Sequence, residues 1–118
     1  MIEARALKKS FGRHQILDGV SFCIEKGESA VIIGRSGGGK SVLLKHLIGL
    51  LRPDAGEVLI EGEDIGPMSE RQLMRVRRRF GMLFQGAALF DSLTVAENVG
   101  FAFRQDRSLT PGAVTRKV

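Results

Sequence analysis

The chain has 118 residues, of which 43% are hydrophobic and 15 are glycine, with a formal net charge of +5. This composition excludes a disordered chain and is sufficient for one small domain with a core. The positive charge would suit an anionic partner, but the sequence has no Trp or Tyr to stack on bases, so we expect a basic surface and no nucleic-acid partner.

Cys23 is the only cysteine, which rules out a disulfide within this sequence and fits a reducing compartment. Its position beside Val20, Phe22 and Ile24 predicts a buried thiol. The first twelve residues carry charges where a signal peptide needs an apolar stretch, and the run Leu47–Leu51 is too short to cross a bilayer. We therefore expect a cytosolic protein that reaches a membrane only through a partner.

Strand patterns occur at residues 2–10, 16–24, 29–33, 57–60 and 82–84. The first two alternate apolar and polar side chains, as a half-buried antiparallel sheet does. The third is the continuous apolar run Ala30-Val31-Ile32-Ile33, which predicts a strand covered on both faces. We expect the fourth to be an edge strand and the last to be short and buried.

Helix patterns follow the glycine-rich turn and two capping sequences. Residues 41–51 carry a broad apolar stripe. Ser69 with Gln72, and Thr94 with Glu97, have the spacing of capping boxes, and the helix after Ser69 is predicted to reach about residue 80. Arg75 and Arg79 are predicted to share one solvated helical face with Arg71, with anionic lipid headgroups as a secondary possibility.

The octapeptide GRSGGGKS at residues 34–41 matches the phosphate-binding loop Gly-x-x-x-x-Gly-Lys-Ser between a predicted strand and a predicted helix. Glycines let backbone N–H groups approach phosphates and permit positive φ, and the helix that follows adds its dipole. Lys40 would neutralise the β- and γ-phosphates, and the Ser41 hydroxyl would bind Mg²⁺. The predicted nucleotide contacts in the loop are Gly34, Arg35, Ser36, Gly37, Gly38, Gly39, Lys40 and Ser41.

Four features together resemble the ATPase subunit of an ABC transporter: Phe11, the phosphate loop, Leu-Arg-Pro-Asp-Ala-Gly-Glu-Val at 51–58, and Leu-Phe-Gln at 83–85. With GKSVLLKHLIGLLRPDAG, the stretch GMLFQGAALFDSLTVAENVGF at 81–101 is similar to the ATPase of Mla-type (MCE-linked) phospholipid transporters, also described as toluene-tolerance transporters. The resemblance implies an α/β P-loop NTPase fold. Residues 1–118 would form its N-terminal part, an antiparallel β subdomain plus an incomplete parallel core sheet with helices.

The same resemblance implies the roles of individual residues. Phe11 matches the aromatic position that stacks on adenine. Gln85 matches the glutamine that binds Mg²⁺ and touches the attacking water, so Lys40 and Gln85 are the candidate catalytic residues, Ser41 and Gln85 the candidate metal ligands, and ATP and Mg²⁺ the implied cofactors.

The implied partners are a second ATPase subunit and an integral membrane permease, which Gly86–Thr94 would contact through Leu89 and Phe90. Local packing is an equally weighted alternative for that pair. The implied location is cytoplasmic, at the inner face of the bacterial inner membrane.

Several motifs of the family do not occur in this sequence. Only Ala87–Asp91 resembles the apolar strand that ends in Asp and precedes a catalytic Glu, but Ser92 stands where the Glu belongs. The Leu-Ser-Gly-Gly signature, the switch histidine and the second acidic motif are absent, and Thr110-Pro111 resembles the start of a helix that Val118 interrupts. We therefore expect a fragment that does not hydrolyse ATP alone and that aggregates through unpaired strands.

Three other functions are alternatives to an ATPase subunit. A non-enzymatic nucleotide-binding or docking module is the main alternative. A GTPase or small-molecule kinase is disfavoured, because neither Asn-Lys-x-Asp nor Asp-x-x-Gly occurs in the sequence. A basic nucleic-acid binder would show salt-dependent binding to DNA.

Overall fold

The computed structural model describes residues 1–35, 37–83 and 89–101. Ser36, Gln85, the start of the predicted permease contact at Gly86, and Thr110-Pro111 lie outside the described residues. The chain divides into two compact units, Met1–Gly81 and Met82–Val118.

The first unit contains a four-stranded antiparallel sheet in the order β2-β1-β3-β4 and two helices. Its elements in chain order are β1 (Ile2–Phe11), β2 (His14–Ile24), α1 (Lys40–Leu47), β3 (Ala55–Ile60), β4 (Glu63–Asp64) and α2 (Glu70–Arg77). The predicted strands 2–10 and 16–24 are therefore confirmed as the β1–β2 hairpin. The prediction that residues 57–60 form an edge strand is wrong, because β3 lies between β1 and β4.

The core of this unit lies where the sheet packs against the two helices, and α1 and α2 contribute Leu43, Leu47, Leu73 and Val76 to it. These residues recur three or four positions apart, which places them on one face of each helix. The sheet contributes residues that include Ala4, Leu7, Leu17, Val58 and Ile60. This packing fixes α1, and with it the loop that precedes α1, relative to β2.

The helix boundaries follow local chemistry. Ser69 accepts a hydrogen bond from the Gln72 N–H while the Gln72 side chain accepts one from the Ser69 N–H, so the predicted capping box is confirmed. Helix α2 ends at Arg77, three residues earlier than predicted. Helix α1 ends at Leu47 rather than residue 51, because Gly49 adopts a φ of 70° that a continuing helix does not allow.

The segment predicted as a doubly covered strand has no regular secondary structure. Residues 28–35 form no strand, and Val31 and Ile33 are 85% and 92% exposed. Met82 and Leu83 likewise lie outside any strand, and Leu83 is 83% exposed. An apolar run becomes a strand only when neighbouring strands accept its backbone hydrogen bonds. Among the described residues, the strands therefore pair only in the antiparallel sense, and the predicted parallel sheet is not formed there.

Cys23 is exposed, so the prediction of a buried thiol is wrong. Residues of β2 point alternately to the two faces of the sheet, and Phe22 and Ile24 are less exposed than Cys23 between them. Partial desolvation raises the pKa of the Cys23 thiol, and the Glu25 carboxylate raises it further.

In the second unit the described residues contain helix α3, Val95–Val99. Thr94 and Glu97 form the predicted capping box. The Asn98 side chain accepts a hydrogen bond from the Phe90 N–H at 2.9 Å and donates to the Leu93 carbonyl at 3.2 Å. These bonds close the turn that precedes α3.

Leu89 and Phe90, the predicted permease contacts, are 67% and 49% exposed. The Phe90 ring lies 4.7 Å from that of Phe101, centroid to centroid, so local packing also takes place at this turn. None of the helices in the described ranges has the length and apolarity needed to cross a bilayer.

Candidate nucleotide-binding site

The phosphate loop turns tightly from residue 34 into α1. The Gly38 N–H donates to the Arg35 carbonyl at 2.9 Å, and a methyl group at Gly38 would lie 2.9 Å from that oxygen. Gly37 and Gly39 adopt φ values of 79° and 92°, which side chains rarely allow. The three consecutive glycines thus each have a steric or conformational reason in the loop itself.

Gly39 also brings the loop against β2. A methyl group at this position would lie 2.7 Å from Ile16 Cγ2 and 3.2 Å from the Ile16 carbonyl oxygen. The buried Gly39 is the N-cap of α1 and accepts the Leu43 N–H at 2.8 Å. The start of the helix is therefore placed by contact of a bare backbone with the sheet.

Lys40 lies at the first position of α1 and folds back over the loop. Its ammonium donates to the Gly34 carbonyl at 2.5 Å, and its aliphatic stem passes 3.7 Å from the position that a Gly34 side chain would take. The Lys40 side chain thus reaches from the end of the loop back to its first residue, Gly34. This arrangement places a positive charge above the backbone turn.

The N-terminus of α1 suits an anion. Its N-cap supplies no side-chain hydrogen bond, and its first turn contains no acidic residue. The first N–H groups of a helix have no partner within the helix and carry the positive end of its dipole. Gly37 faces open space and Ser41 is exposed, so phosphate oxygens and a hydrated Mg²⁺ could approach the loop at these two residues.

Phe11 lies at the end of β1, opposite His14 in the hairpin. His14 is two residues before Ile16, on which Gly39 packs, so the hairpin end and the phosphate loop share the same stretch of β2. The Phe11 ring is 48% exposed. The structure therefore brings the predicted adenine-stacking residue and the predicted phosphate loop to one region of the first unit.

Two residues that the sequence analysis did not single out hold the Phe11 end of β1. The Lys9 ammonium lies over the Phe11 ring, 5.5 Å from its centroid, and donates to Asp54 Oδ1 at 3.3 Å. Asp54 Oδ2 accepts the Ser10 N–H at 2.8 Å. That backbone hydrogen bond, followed by the one from Lys9, lowers the pKa of Asp54. The only sequence signal was Asp54 itself, which lies in the family-like stretch at 51–58.

Asp91, which the sequence pattern did not favour as a catalytic or metal-binding residue, follows Phe90 in a turn and does not end a strand. Ser36 and Gln85 lie outside the described residues, so the predicted second metal ligand is not placed. Among the residues described, no group of three His, Cys, Asp or Glu side chains could hold a metal ion, which leaves Ser41 as the one candidate ligand from the sequence analysis in that part of the chain.

Three relatives among curated proteins match most or all of this chain. The probable ribonucleotide transport ATP-binding protein mkl of Mycobacterium leprae is 48% identical over 104 residues, 88% of this chain and 30% of that protein. The Arabidopsis thaliana chloroplastic protein TRIGALACTOSYLDIACYLGLYCEROL 3 is 46% identical over 119 residues, 100% of this chain and 34% of its own length. The intermembrane phospholipid transport system ATP-binding protein MlaF of Haemophilus influenzae is 39% identical over 118 residues, 100% of this chain and 45% of MlaF.

Two solved structures of the bacterial ABC transporter cassette MJ0796 share the fold. One is a dimer with a TM-score of 0.84, and the other, with a TM-score of 0.82, is a dimer in a post-hydrolysis state bound to ADP and phosphate. Both are 28% identical to this chain and cover 98% of it, and the chain covers 53% of each. The likeness confirms the predicted fold class, the N-terminal part of an ABC ATPase cassette.

The chain thus spans between about a third and a half of these proteins. The sequence model that describes ABC transporters matches residues 17–117, which contain the phosphate loop and both capping boxes. The chain belongs to the ABC transporter family.

Proposed function

We propose that this chain is the nucleotide-binding part of an ABC transporter ATPase subunit and that it binds MgATP. The observation that carries the proposal is the loop at residues 34–41, where a backbone turn, an uncapped helix N-terminus and the Lys40 ammonium converge. The ADP and phosphate in the related MJ0796 dimer agree with this ligand. Phe11, the backbone of residues 34–39, Lys40 and Ser41 would hold the nucleotide, with Gln85 as a further Mg²⁺ ligand.

Each residue has a distinct role in this proposal. The glycines allow backbone N–H groups to surround the phosphates, and Lys40 leaves the Gly34 carbonyl to neutralise the β- and γ-phosphates. Bound Mg²⁺ would withdraw charge from the phosphate oxygens. Ser41 would orient its hydroxyl toward that ion, and Phe11 would stack on the adenine. Hydrolysis is assigned to the full-length protein with the second subunit and the permease as partners.

Binding of MgATP by the full-length native protein tests the site. Replacing Lys40 by Met removes the ammonium, and Lys45→Met is the matched control because Lys45 is an exposed lysine of the same helix. We expect Lys40→Met to weaken binding at least tenfold, since a charge-assisted hydrogen bond contributes about 1.5–3 kcal/mol. Equal affinity of the two variants would contradict the proposal.

We further propose that the transported substrate is a phospholipid. Of the three relatives above, the two that match this chain along its whole length have names that refer to lipids, whereas the ribonucleotide-transport relative matches 88% of it. The stretch at 81–101 supports the same substrate class through its similarity to Mla-type ATPases.

The substrate proposal is tested with the full-length protein and its membrane partner in vesicles that contain a fluorescent phospholipid. We expect ATP-dependent movement of the phospholipid and no ATP-dependent uptake of ribonucleotides. Nucleotide uptake without lipid movement would refute the lipid assignment and leave the nucleotide-binding site unaffected.

A further inference from the structure

The ammonium of Lys9 is held in a fixed position on the Phe11 side of the hairpin. It donates to the Arg52 carbonyl at 2.9 Å and to Asp54 Oδ1 at 3.3 Å, and only 17% of the Lys9 side chain is exposed. Lysine side chains are usually exposed and mobile. Because the Lys9 side chain is mostly buried and its ammonium has two acceptors, the ammonium is held in one position.

The acceptors of Lys9 are themselves anchored. The Arg52 guanidinium donates to the Gly66 carbonyl at 2.6 Å and to the Met68 carbonyl at 3.0 Å. The Asp54 N–H donates to the Lys8 carbonyl at 2.8 Å. The loop at residues 52–54 is therefore tied to β1 on one side and to the segment before α2 on the other, and it does not depend on Lys9 alone for its position.

Asp54 connects the cation to the backbone that carries the ring. One carboxylate oxygen accepts from Lys9 and the other accepts the Ser10 N–H at 2.8 Å. Ser10 directly precedes Phe11, so the same carboxylate limits both the backbone that supports the ring and the cation over its face.

The Lys9 cation also acts on the ring directly. An ammonium within about 6 Å of an aromatic centroid is attracted to the π electrons, and the Lys9 ammonium lies 5.5 Å from that of Phe11. Phenylalanine has no polar group that could fix its rotation, so attraction to a nearby cation favours one orientation of the ring. Polarisation of the π electrons toward the ammonium leaves the opposite face less negative, which favours stacking with an electron-rich purine.

We propose that Lys9, anchored by Asp54, is a positioning residue that orients the Phe11 ring for stacking on the purine base of the bound nucleotide. The inference rests on the proposed function, since it needs a nucleotide in the phosphate loop. It assigns to Lys9 no contact with the phosphates and none with the base. Its effect is therefore confined to ligands that contain a base.

The test compares MgATP with inorganic tripolyphosphate as ligands of the full-length native protein. The variants are Lys9→Met, Phe11→Ala and the double variant. Lys8→Met is the control, because Lys8 is the neighbouring lysine of the same strand and its ammonium lies 4.0 Å from Asp18 rather than over the ring. Tripolyphosphate occupies the loop without a base, so its affinity also reports whether each variant is folded.

We expect Lys9→Met to weaken MgATP binding about threefold to fivefold, because ordering the Phe11 ring on binding would then cost up to about the strength of the lost cation–π contact. Phe11→Ala is expected to weaken it about tenfold or more, as loss of one stacked base does. Lys9→Met should have no further effect once Phe11 is Ala, and tripolyphosphate affinity should be unchanged in every variant.

Three results would overturn the inference: equal weakening of both ligands by Lys9→Met, an undiminished effect of Lys9→Met in the Phe11→Ala background, or the same affinity for MgATP in Lys9→Met and wild type. Failure of the wild-type protein to bind either ligand would instead refute the proposed function, and this inference with it.

Discussion

Replacement of Gly39 by Ala tests whether contact with β2 places the phosphate loop. The residue has a φ of 92°, and its new methyl group would lie 2.7 Å from Ile16 Cγ2. A left-handed conformation costs a non-glycine residue about 1–2 kcal/mol, and forcing a methyl group into a packed site costs about 1–3 kcal/mol more. The expected loss is therefore about 2–5 kcal/mol in the free energy of unfolding.

Gly37→Ala is the matched control, because Gly37 has a φ of 79° but nothing within 4 Å of the added methyl group. It should cost only the conformational part, about 1–2 kcal/mol. Urea denaturation of the full-length protein measures both variants. The cost of Gly39→Ala should be smaller in an Ile16→Ala background than in the wild type, because Ile16→Ala removes Cγ2, the atom that the added methyl group would meet. Equal losses for Gly37→Ala and Gly39→Ala would refute the argument from contact with β2.

The remaining predictions concern the surroundings of the site. The Ser10 N–H lowers the pKa of Asp54, so the contribution of this carboxylate is complete above the ordinary aspartate pKa of about 4 and is lost as the pH falls through its lower folded value. Asp54→Asn should therefore flatten the acid limb of a urea midpoint measured between pH 7 and pH 2, and an unchanged acid limb would count against the hydrogen bond. Arg77→Ala should destabilise the protein by about 1–3 kcal/mol, because the guanidinium donates to two carbonyls, whereas the exposed Arg75→Ala should change stability by less than about 0.5 kcal/mol; similar losses would contradict this assignment. Cys23 should react with a thiol reagent in the folded protein, but more slowly at pH 7 than a free cysteine and faster as the pH rises, because its pKa is raised; protection until unfolding would show that the thiol is covered.

Local chemistry made part of the fold predictable from the sequence. Both capping boxes form as expected, because a Ser or Thr and a residue three positions later satisfy each other's backbone N–H groups without any distant partner. The first hairpin follows in the same way from alternation around a turn at Gly12. The prediction of a strand at Ala30–Ile33 was wrong. An apolar pattern indicates burial, but a strand also needs hydrogen-bond partners, which are supplied by residues elsewhere in the chain.

The site was predictable where one motif contains all its parts. The loop at residues 34–41 specifies its own turn, cation and helix start. Lys9 could not be found, because its role depends on Asp54, which lies 45 positions away in sequence and meets Lys9 only in the folded chain. Cys23 was misplaced for a different reason: Val20, Phe22 and Ile24 occupy alternate positions of β2, so the period of two places Cys23 on the opposite face, and the prediction considered only its apolar neighbours.

The junction between the two helices of the first unit has a mechanical consequence. Arg77 donates from Nε to the Ile48 carbonyl and from a terminal nitrogen to the Gly49 carbonyl, each at 2.9 Å, and a methyl group at Gly49 would meet Leu73 at 2.8 Å. These contacts hold the C-terminal end of α1 against α2. We therefore expect a movement of the N-terminal end of α1 on ligand binding to displace α2 as well, because the two helices would move together.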